Sequence, residues 1–361
     1  MANIAIVGAT GLVGLKFLEI LEQRNFPVDT LKLFASERSA GTTQSFRGKE
    51  YTVEPIVPGC FKGIDIALFS AGGGPSKAVA PQAASEGAIV IDNSSAWRGD
   101  PDVPLVVPEV NADDVDWYDR KGIIANPNCS TIQMVVALYP IHQVNPIKKI
   151  IVATYQSVSG AGLTNVQETW DQFIAWAEHV KDLPGYKSKK QDAPEVNSNS
   201  FTSPTPAKEF PYQIAFNLIP QIGAFTENGY TEEEMKMQDE TRKIMHAPVV
   251  NVSATTIRVP AFFAHSESVT IELSHPLSAN EARDLLKAAP GVIVQDDPAK
   301  REYPMPLYAG GKDETFVGRI RKDLAFDNGL SLWVVSDNIR KGAALNAIQI
   351  AEVLIEKGIV T

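Results

Sequence analysis

Two cysteines and five histidines are the side chains of this 361-residue sequence that could supply a sulfur nucleophile and an imidazole base near neutral pH. Cys129 follows the turn Asn126-Pro127-Asn128 and precedes Ser130-Thr131, and an apolar periodic stretch runs from Ile132 to Tyr139. That pattern predicts a cysteine at a helix start, where the helix dipole stabilises a thiolate and lowers the thiol pKa. Cys60, between Pro58-Gly59 and Phe61-Lys62, reads as structural. Among the histidines, His142 and His179 lie in predicted helices and His275 precedes a proline, so all three read as structural. His246 is the fifth histidine. His265 follows the run Arg258-Val259-Pro260-Ala261-Phe262-Phe263-Ala264, where a strand breaks at proline and an apolar loop leads to the imidazole. Such a loop could hold His265 against a thiol.

A second chemistry sits at the start of the chain. Gly8-Ala9-Thr10-Gly11-Leu12-Val13-Gly14 lies between the strand-like Asn3–Val7 and the helical spacing of Leu12–Leu21. Glycines there let backbone N–H groups approach a pyrophosphate, and the helix N-terminus adds partial positive charge. The spacing is GxxGxxG rather than GxGxxG, which is a weak signal alone. After the next strand, Leu31–Ala35, the run Ser36-Glu37-Arg38-Ser39 offers two hydroxyls and an arginine, a set that suits a ribose 2′-phosphate and favours NADP. Glu37 is the one residue there that would suit NAD.

These residues need elements to hold them. Further strands are expected at Asp65–Phe69, running into Ser70-Ala71-Gly72-Gly73-Gly74, and at Ala88–Ile91. Alternating strands and helices argue a mostly parallel α/β sheet, a Rossmann-like dinucleotide-binding domain over 1–130. Longer strands follow at Ile147–Tyr155, Asn251–Val259 and Ser268–Leu273, implying an α+β domain with a mixed sheet over 131–335. A last helix, Lys341–Lys357, with Gly358 as its stop, lies in a closing segment 336–361 expected to pack back on the first domain. The stretch 181–208 is polar and reads as a surface excursion.

Composition bounds the rest. The chain is 44% hydrophobic and 21% charged, which excludes wholesale disorder. With 43 acidic and 33 basic residues its net charge is −10, so no nucleic-acid or membrane partner is expected from bulk charge. Two distant cysteines make neither a disulfide framework nor a zinc site, so no metal is expected. No apolar run reaches the roughly 18 residues needed to span a bilayer. The N-terminus runs straight into MANIAIVGATG with no basic leader, and the reading is a cytoplasmic protein.

The motifs taken in order, GATGLVG, ASERSAG, SAGGGPS, DNSSAWR, NPNCST, YQSVSGAG, FNLIPQIG, EEEMK, RVPAFFAHSE and DNIRKGAALNAIQIAE, span essentially the whole chain, which resembles the aspartate-semialdehyde dehydrogenases. The resemblance implies NADPH-dependent reductive dephosphorylation of L-4-aspartyl phosphate to L-aspartate 4-semialdehyde, in biosynthesis of lysine and diaminopimelate, threonine, methionine and isoleucine. It implies a Cys129 thioester, His265 as base and Gln156 as the amide that positions the reacting group. It implies that Arg258 grips the substrate carboxylate, Glu233 the ammonium, and Arg98, Asn128 and Lys236 the phosphate. Gly8, Thr10, Gly11, Leu12, Val13, Ser36, Arg38, Ser39, Ser70, Gly74, Gly162 and Asn338 are the implied cofactor positions. A homodimer, or a tetramer, is expected. The nearest alternative is an N-acetyl-γ-glutamyl-phosphate reductase, whose substrate has no ammonium for Glu233 to meet. A non-catalytic paralogue would have lost Cys129, Gln156 or His265, and all three are present.

Overall fold

The computed structural model describes residues 1–181 and 201–360, so the polar stretch lies, over 182–200, outside the described residues. The first sheet contains β1 (Ala2–Val7), β2 (Val28–Ala35), β3 (Thr43–Phe46), β4 (Lys49–Pro55), β5 (Ile66–Phe69), β6 (Ile89–Asp92) and β7 (Ile123–Ala125). Their order is β3-β4-β2-β1-β5-β6-β7, parallel except for the β3–β4 pair. Strands such as Ile66-Ala67-Leu68-Phe69 are buried on both faces, as a sheet covered by helices requires. The order turns back at β1, which lies between β2 and β5, so the loops after these three strands open on one crevice.

The helices are α1 (Leu12–Gln23), α2 (Gly73–Ser85), the short α3 (Pro108–Asn111), α4 (Cys129–Val144), α5 (Leu163–Lys181), α6 (Glu232–Ile244), α7 (Ala279–Ala288), the short α8 (Pro306–Ala309) and α9 (Leu345–Glu356). The second sheet contains β8 (Ile147–Gln156), β9 (Asn251–Arg258), β10 (His265–Leu273), β11 (Val292–Val294), β12 (Thr315–Lys322) and β13 (Gly329–Ser336), ordered β11-β12-β13-β10-β8-β9. The β8–β9 and β11–β12 pairs are parallel and the rest antiparallel, the mixed sheet the sequence led us to expect.

One helix joins the two halves. In α4, Ser130 through Leu138 are buried without a break. A helix apolar on every side must lie inside the protein, and α4 packs on β8, β10, β12 and β13 as well as α6 and α7. Its first residue is Cys129, which follows the end of the first sheet. On the opposite face of that sheet, Phe17, Ile20 and Leu21 of α1 and Leu345, Ile348 and Leu354 of α9 share one core with Ile4 and Ile6. Each such buried side chain stabilises the packing by about 1.5–3 kcal/mol. Lys357 caps α9, and Gly358 follows at φ +70°, the left-handed stop expected of it.

The start of that last helix differs from the expectation. Arg340–Ala344 form one turn of π-helix, and the α-helix begins only at Leu345. Two constraints meet in the wide turn. The buried Lys341 ammonium donates to Glu109, Asn346 and Gln349. Gly342 passes so close to the cysteine that an added Cβ would stand 2.8 Å from Cys129 Cβ.

Candidate active site

The register of the second sheet gathers one set of side chains. Gln156 and Arg258 are the last residues of β8 and β9 and pair directly. His265 opens the antiparallel β10, opposite Ser336 at the end of β13. All four therefore stand at one end of the sheet, where α4 begins. Here the expectation for His265 is corrected: it is a strand residue, not a loop residue. The expected strand Ser268–Leu273 extends back to it because β8 and β13 clamp β10 on both sides. The preceding loop ends at Ala264, whose φ is +65°.

Cys129 Sγ lies 3.2 Å from His265 Nε2. Asn128 is the N-cap of α4, its side-chain oxygen accepting the N–H groups of Ser130 and Thr131. The Ser157 N–H donates to His265 Nδ1 at 3.0 Å, and since an amide N–H can only donate, the neutral ring carries its proton on Nε2, facing the sulfur. Ser157 Oγ also lies 3.0 Å from Nδ1 and gives its own proton to Asn338 Oδ1. His265 is fully buried, and burial, with Arg258 nearby, pushes its pKa well below the ordinary value, so the ring is neutral.

The thiol departs from the expectation. Burial and the Glu233 carboxylate push Cys129 up to about 12, against the opposing pull of Arg258, Arg98 and the Ser130 N–H. The helix terminus alone does not make a thiolate here, because desolvation outweighs it.

Glu233 is the hub of the polar wall. It is buried, and its carboxylate accepts from Asn128 Nδ2 at 2.7 Å, Gln156 Nε2 at 3.2 Å and Lys236 Nζ at 3.2 Å. Burial works against its charge, but Lys236 and the amide donors hold its pKa below the ordinary value. Its neighbours differ: Glu232 is exposed, and Glu234 closes a capping box with Thr231. Of the three glutamates at this helix start, only Glu233 faces the site. Arg258 is buried with Nη1 on the Ser157 carbonyl at 2.7 Å. Arg98 donates to the carbonyls of Asn126 and Asn93 and pairs with Glu240.

The crevice of the first sheet suits a dinucleotide. Gly8 has φ +86°, and an added Cβ would lie 2.3 Å from the Ser70 carbonyl oxygen, so only glycine lets the loops after β1 and β5 cross. Gly11 and Gly72, the N-cap residues of α1 and α2, make no side-chain cap, which leaves the first N–H groups of both helices free of side-chain acceptors. Thr10 Oγ1 donates to Ser39 Oγ at 3.3 Å, joining the loops after β1 and β2. Ser36, Glu37 and Arg38 are exposed beside them, and Arg38 has no ion pair among the described residues. Gly74 lies in the first turn of α2, Val13 in that of α1, and Gly162 takes φ +108° just before α5. Asn338 is buried, its amide spent on Ser157, Ser159 and Ala264. A cavity of about 820 Å³ bounded by Leu12, Phe263, Gly310 and Ile339 opens the cleft between α1 and the second domain.

Two family models match in tandem: the semialdehyde dehydrogenase NAD-binding domain over residues 3–118 and the semialdehyde dehydrogenase dimerisation domain over 138–341. The chain is 57% identical over 359 residues to the aspartate-semialdehyde dehydrogenase of Aquifex aeolicus, covering 99% of both chains. It is 53% identical to that of Bacillus subtilis, covering 98% of this chain and 97% of the relative. The crystal structure of Vibrio cholerae aspartate semialdehyde dehydrogenase II complexed with ASA superposes with a TM-score of 0.90 at 45% identity, over 99% of this chain and 98% of that one. The chain belongs to the aspartate-semialdehyde dehydrogenase family. It is an NADP-dependent oxidoreductase acting on an aldehyde group, and it interconverts L-4-aspartyl phosphate with L-aspartate 4-semialdehyde and phosphate. The N-acetylglutamyl alternative is not favoured. No helix among the described residues is long and apolar enough to cross a membrane.

Four residues of this dehydrogenase site escaped the sequence reading. Ser157 anchors the imidazole. Gly160 runs so near that an added Cβ would stand 3.1 Å from Arg258 Nη1 and 3.2 Å from His265 Nε2. Gly342 abuts Cys129. Glu240 accepts the Asn128 N–H at 2.6 Å and Arg98 Nη1 at 3.2 Å. Its seven-residue spacing from Glu233, two helical turns along one face, was the available signal.

Proposed function

We propose that the reaction runs through an acyl thioester on Cys129, with His265 as its acid–base partner. The observation that carries this is the 3.2 Å contact between Cys129 Sγ and His265 Nε2 at the start of a capped, buried helix. A thiol held near 12 needs its base beside it. Ser157 suits both proton positions of the ring: its N–H serves a bare Nδ1, and its Oγ can accept from a protonated one. His265 takes the thiol proton at Nε2 only after its own proton has moved to Nδ1, where Ser157 Oγ accepts its hydrogen bond, so the shift of tautomer keeps the ring anchored. In the oxidative direction Sγ bonds to the aldehyde carbon, and Gln156 donates its amide N–H to the oxygen that gains charge. The nicotinamide, when bound, supplies the hydride chemistry. A phosphate oxygen then attacks the thioester carbon and Sγ leaves with the bonding pair, a step that suits a polarizable sulfur.

Arg258 presents a planar fork to the substrate α-carboxylate, and Glu233 a carboxylate to its ammonium. Arg98, Asn128 and Lys236 hold the phosphate. Gly8, Thr10, Gly11, Leu12, Val13, Ser70 and Gly74 cradle the dinucleotide phosphates, Ser36, Arg38 and Ser39 the 2′-phosphate, and Gly162 and Asn338 flank the nicotinamide. The dinucleotide domain spans 1–130, the catalytic and dimerisation domain 131–335, and the closing segment 336–361. The working assembly is a homodimer, with a tetramer as its larger form, and the compartment is the cytoplasm.

The test is Cys129→Ser with mass spectrometry of the wild type. The variant is expected to fold and bind NADP but to lose at least about a thousandfold in kcat. Wild type given semialdehyde and NADP⁺ without phosphate should carry an acyl adduct on the Cys129 peptide. Near-wild-type turnover in the serine variant would overturn the covalent route.

A further inference from the structure

Helix α6 crosses the site lengthways. Glu233, Lys236, Glu240 and Lys243 recur at intervals of three and four residues and so share a face. Each meets the catalytic loops. Lys243 Nζ donates to the carbonyls of Arg98, Asp100 and Val103 at 3.0, 2.7 and 2.7 Å, which closes the loop behind Arg98. Glu240, only 4% exposed, accepts the Asn128 N–H with one oxygen and Arg98 Nη1 with the other. Neither residue has a role in the reaction steps above.

Arg98 is held at three points, by two backbone carbonyls and one carboxylate. A guanidinium has five N–H bonds, so two remain for an arriving anion. The carbonyls position the group without changing its charge. Glu240 does both, because a carboxylate beside a guanidinium cancels part of the field that an anion would feel. The same carboxylate holds the backbone of Asn128, whose side chain caps the Cys129 helix.

We propose that Glu240 is a positioning residue and the internal counter-anion of the phosphate subsite. It fixes Arg98 and Asn128 in place and weakens the hold on inorganic phosphate, so that phosphate exchanges freely. The proposal rests on the reading of Arg98 and Asn128 as phosphate ligands. Burial raises the Glu240 carboxyl above its ordinary range, while Arg98 and the Asn128 N–H oppose this and favour the charged form. Glu233 is the other acid that bears on it.

The experiment compares phosphate KM in the oxidative direction, with melting temperature as the check on folding. Glu240→Gln and Glu240→Met remove the charge, and each is expected to lower phosphate KM about three- to tenfold while semialdehyde KM stays within about twofold. Glu240→Asp keeps the charge and is expected to show no such fall. A purely structural Glu240 would instead raise phosphate KM in every variant. Unchanged or raised phosphate KM in both uncharged variants, folded as judged by Tm, overturns the counter-anion. Arg98→Met separates the two levels. If it raises phosphate KM while the uncharged Glu240 variants do not lower it, only the counter-anion falls. If it leaves phosphate KM unchanged, the phosphate-ligand reading falls and takes this proposal with it.

Discussion

At the cofactor crevice the chain offers mostly backbone: Gly8 at φ +86°, two helix starts without side-chain caps, and an exposed Arg38 at the rim. At the reacting end it offers side chains, nearly all buried and bonded to one another, with Glu233, Asn128, Gln156, Glu240 and Arg98 in one network. In the proposed function, a long, flexible ligand with several phosphates is met by repeated N–H groups, which cost little to present. A small substrate that must react at one atom needs fixed charges, and burial is what fixes them and makes them strong. The difference has a cost at the reacting end only. Just behind it, the Gln133 amide and the Glu267 carboxyl are buried with no partner but each other among the described residues. The side of β10 that holds His265 against Cys129 carries Glu267 two residues on, and Gln133 lies one turn beyond Cys129 on α4.

The largest expected effect comes from giving each region one methyl group. In Gly8→Ala the new Cβ meets the Ser70 carbonyl at 2.3 Å in a left-handed backbone. It should destabilise the protein by about 2–4 kcal/mol and abolish tight cofactor binding, read by calorimetry and NADP titration. In Gly342→Ala the Cβ meets Cys129 Cβ at 2.8 Å. There NADP affinity should persist while kcat falls about 10- to 100-fold, because a displaced nucleophile loses its alignment. If the two variants show the same pattern, the two regions are not separate in kind.

A smaller effect is expected at the rim. Arg38→Ala should weaken NADP binding about 10- to 100-fold and leave NAD binding and kcat nearly unchanged, since only the 2′-phosphate loses a partner. Equal losses for the two cofactors would move Arg38 out of the contact.

The smallest tests the cost. Burial lifts the Glu267 carboxyl well above its ordinary range. The folded state therefore keeps a proton that the unfolded state releases. Stability is full below the unfolded value of about 4.3 and declines as pH rises toward the folded value. Glu267→Gln removes that decline. A gain in Tm of about 2–4 °C at pH 8, and little gain near pH 4, is expected in thermal melts. An equal shift at both pH values would mean that packing, not protonation, governs the site.

How far the sequence could be read follows from the same contrast. The crevice was legible because its parts are local: glycines at a turn, a strand before them, a helix after. The helix start at Cys129 was legible for that reason too, whereas the capping of that helix by Asn128 emerged only from the structure. His265 could be singled out, but its place on β10 could not, because the clamp comes from β8 and β13. Glu240 was missed because its partners, Asn128 and Arg98, lie 112 and 142 residues away. The start of α9 was misread because Lys341 and Gly342 answer to Glu109 and Cys129 rather than to their neighbours in sequence.

By itself, the sequence determined the kinds of group available and the backbone they needed: a thiol at a helix start, glycines where φ must be positive, a guanidinium beside hydroxyls. These are short-range matters of sterics and hydrogen bonding. The tertiary structure alone decided which groups meet and what state they are in. It brought Cys129 to His265 across 136 residues, set Gln156 beside Arg258 by strand register, and turned a thiol expected to ionise easily into one held near 12. Protonation depends on the water removed and the charges placed nearby, and both are properties of the packed fold.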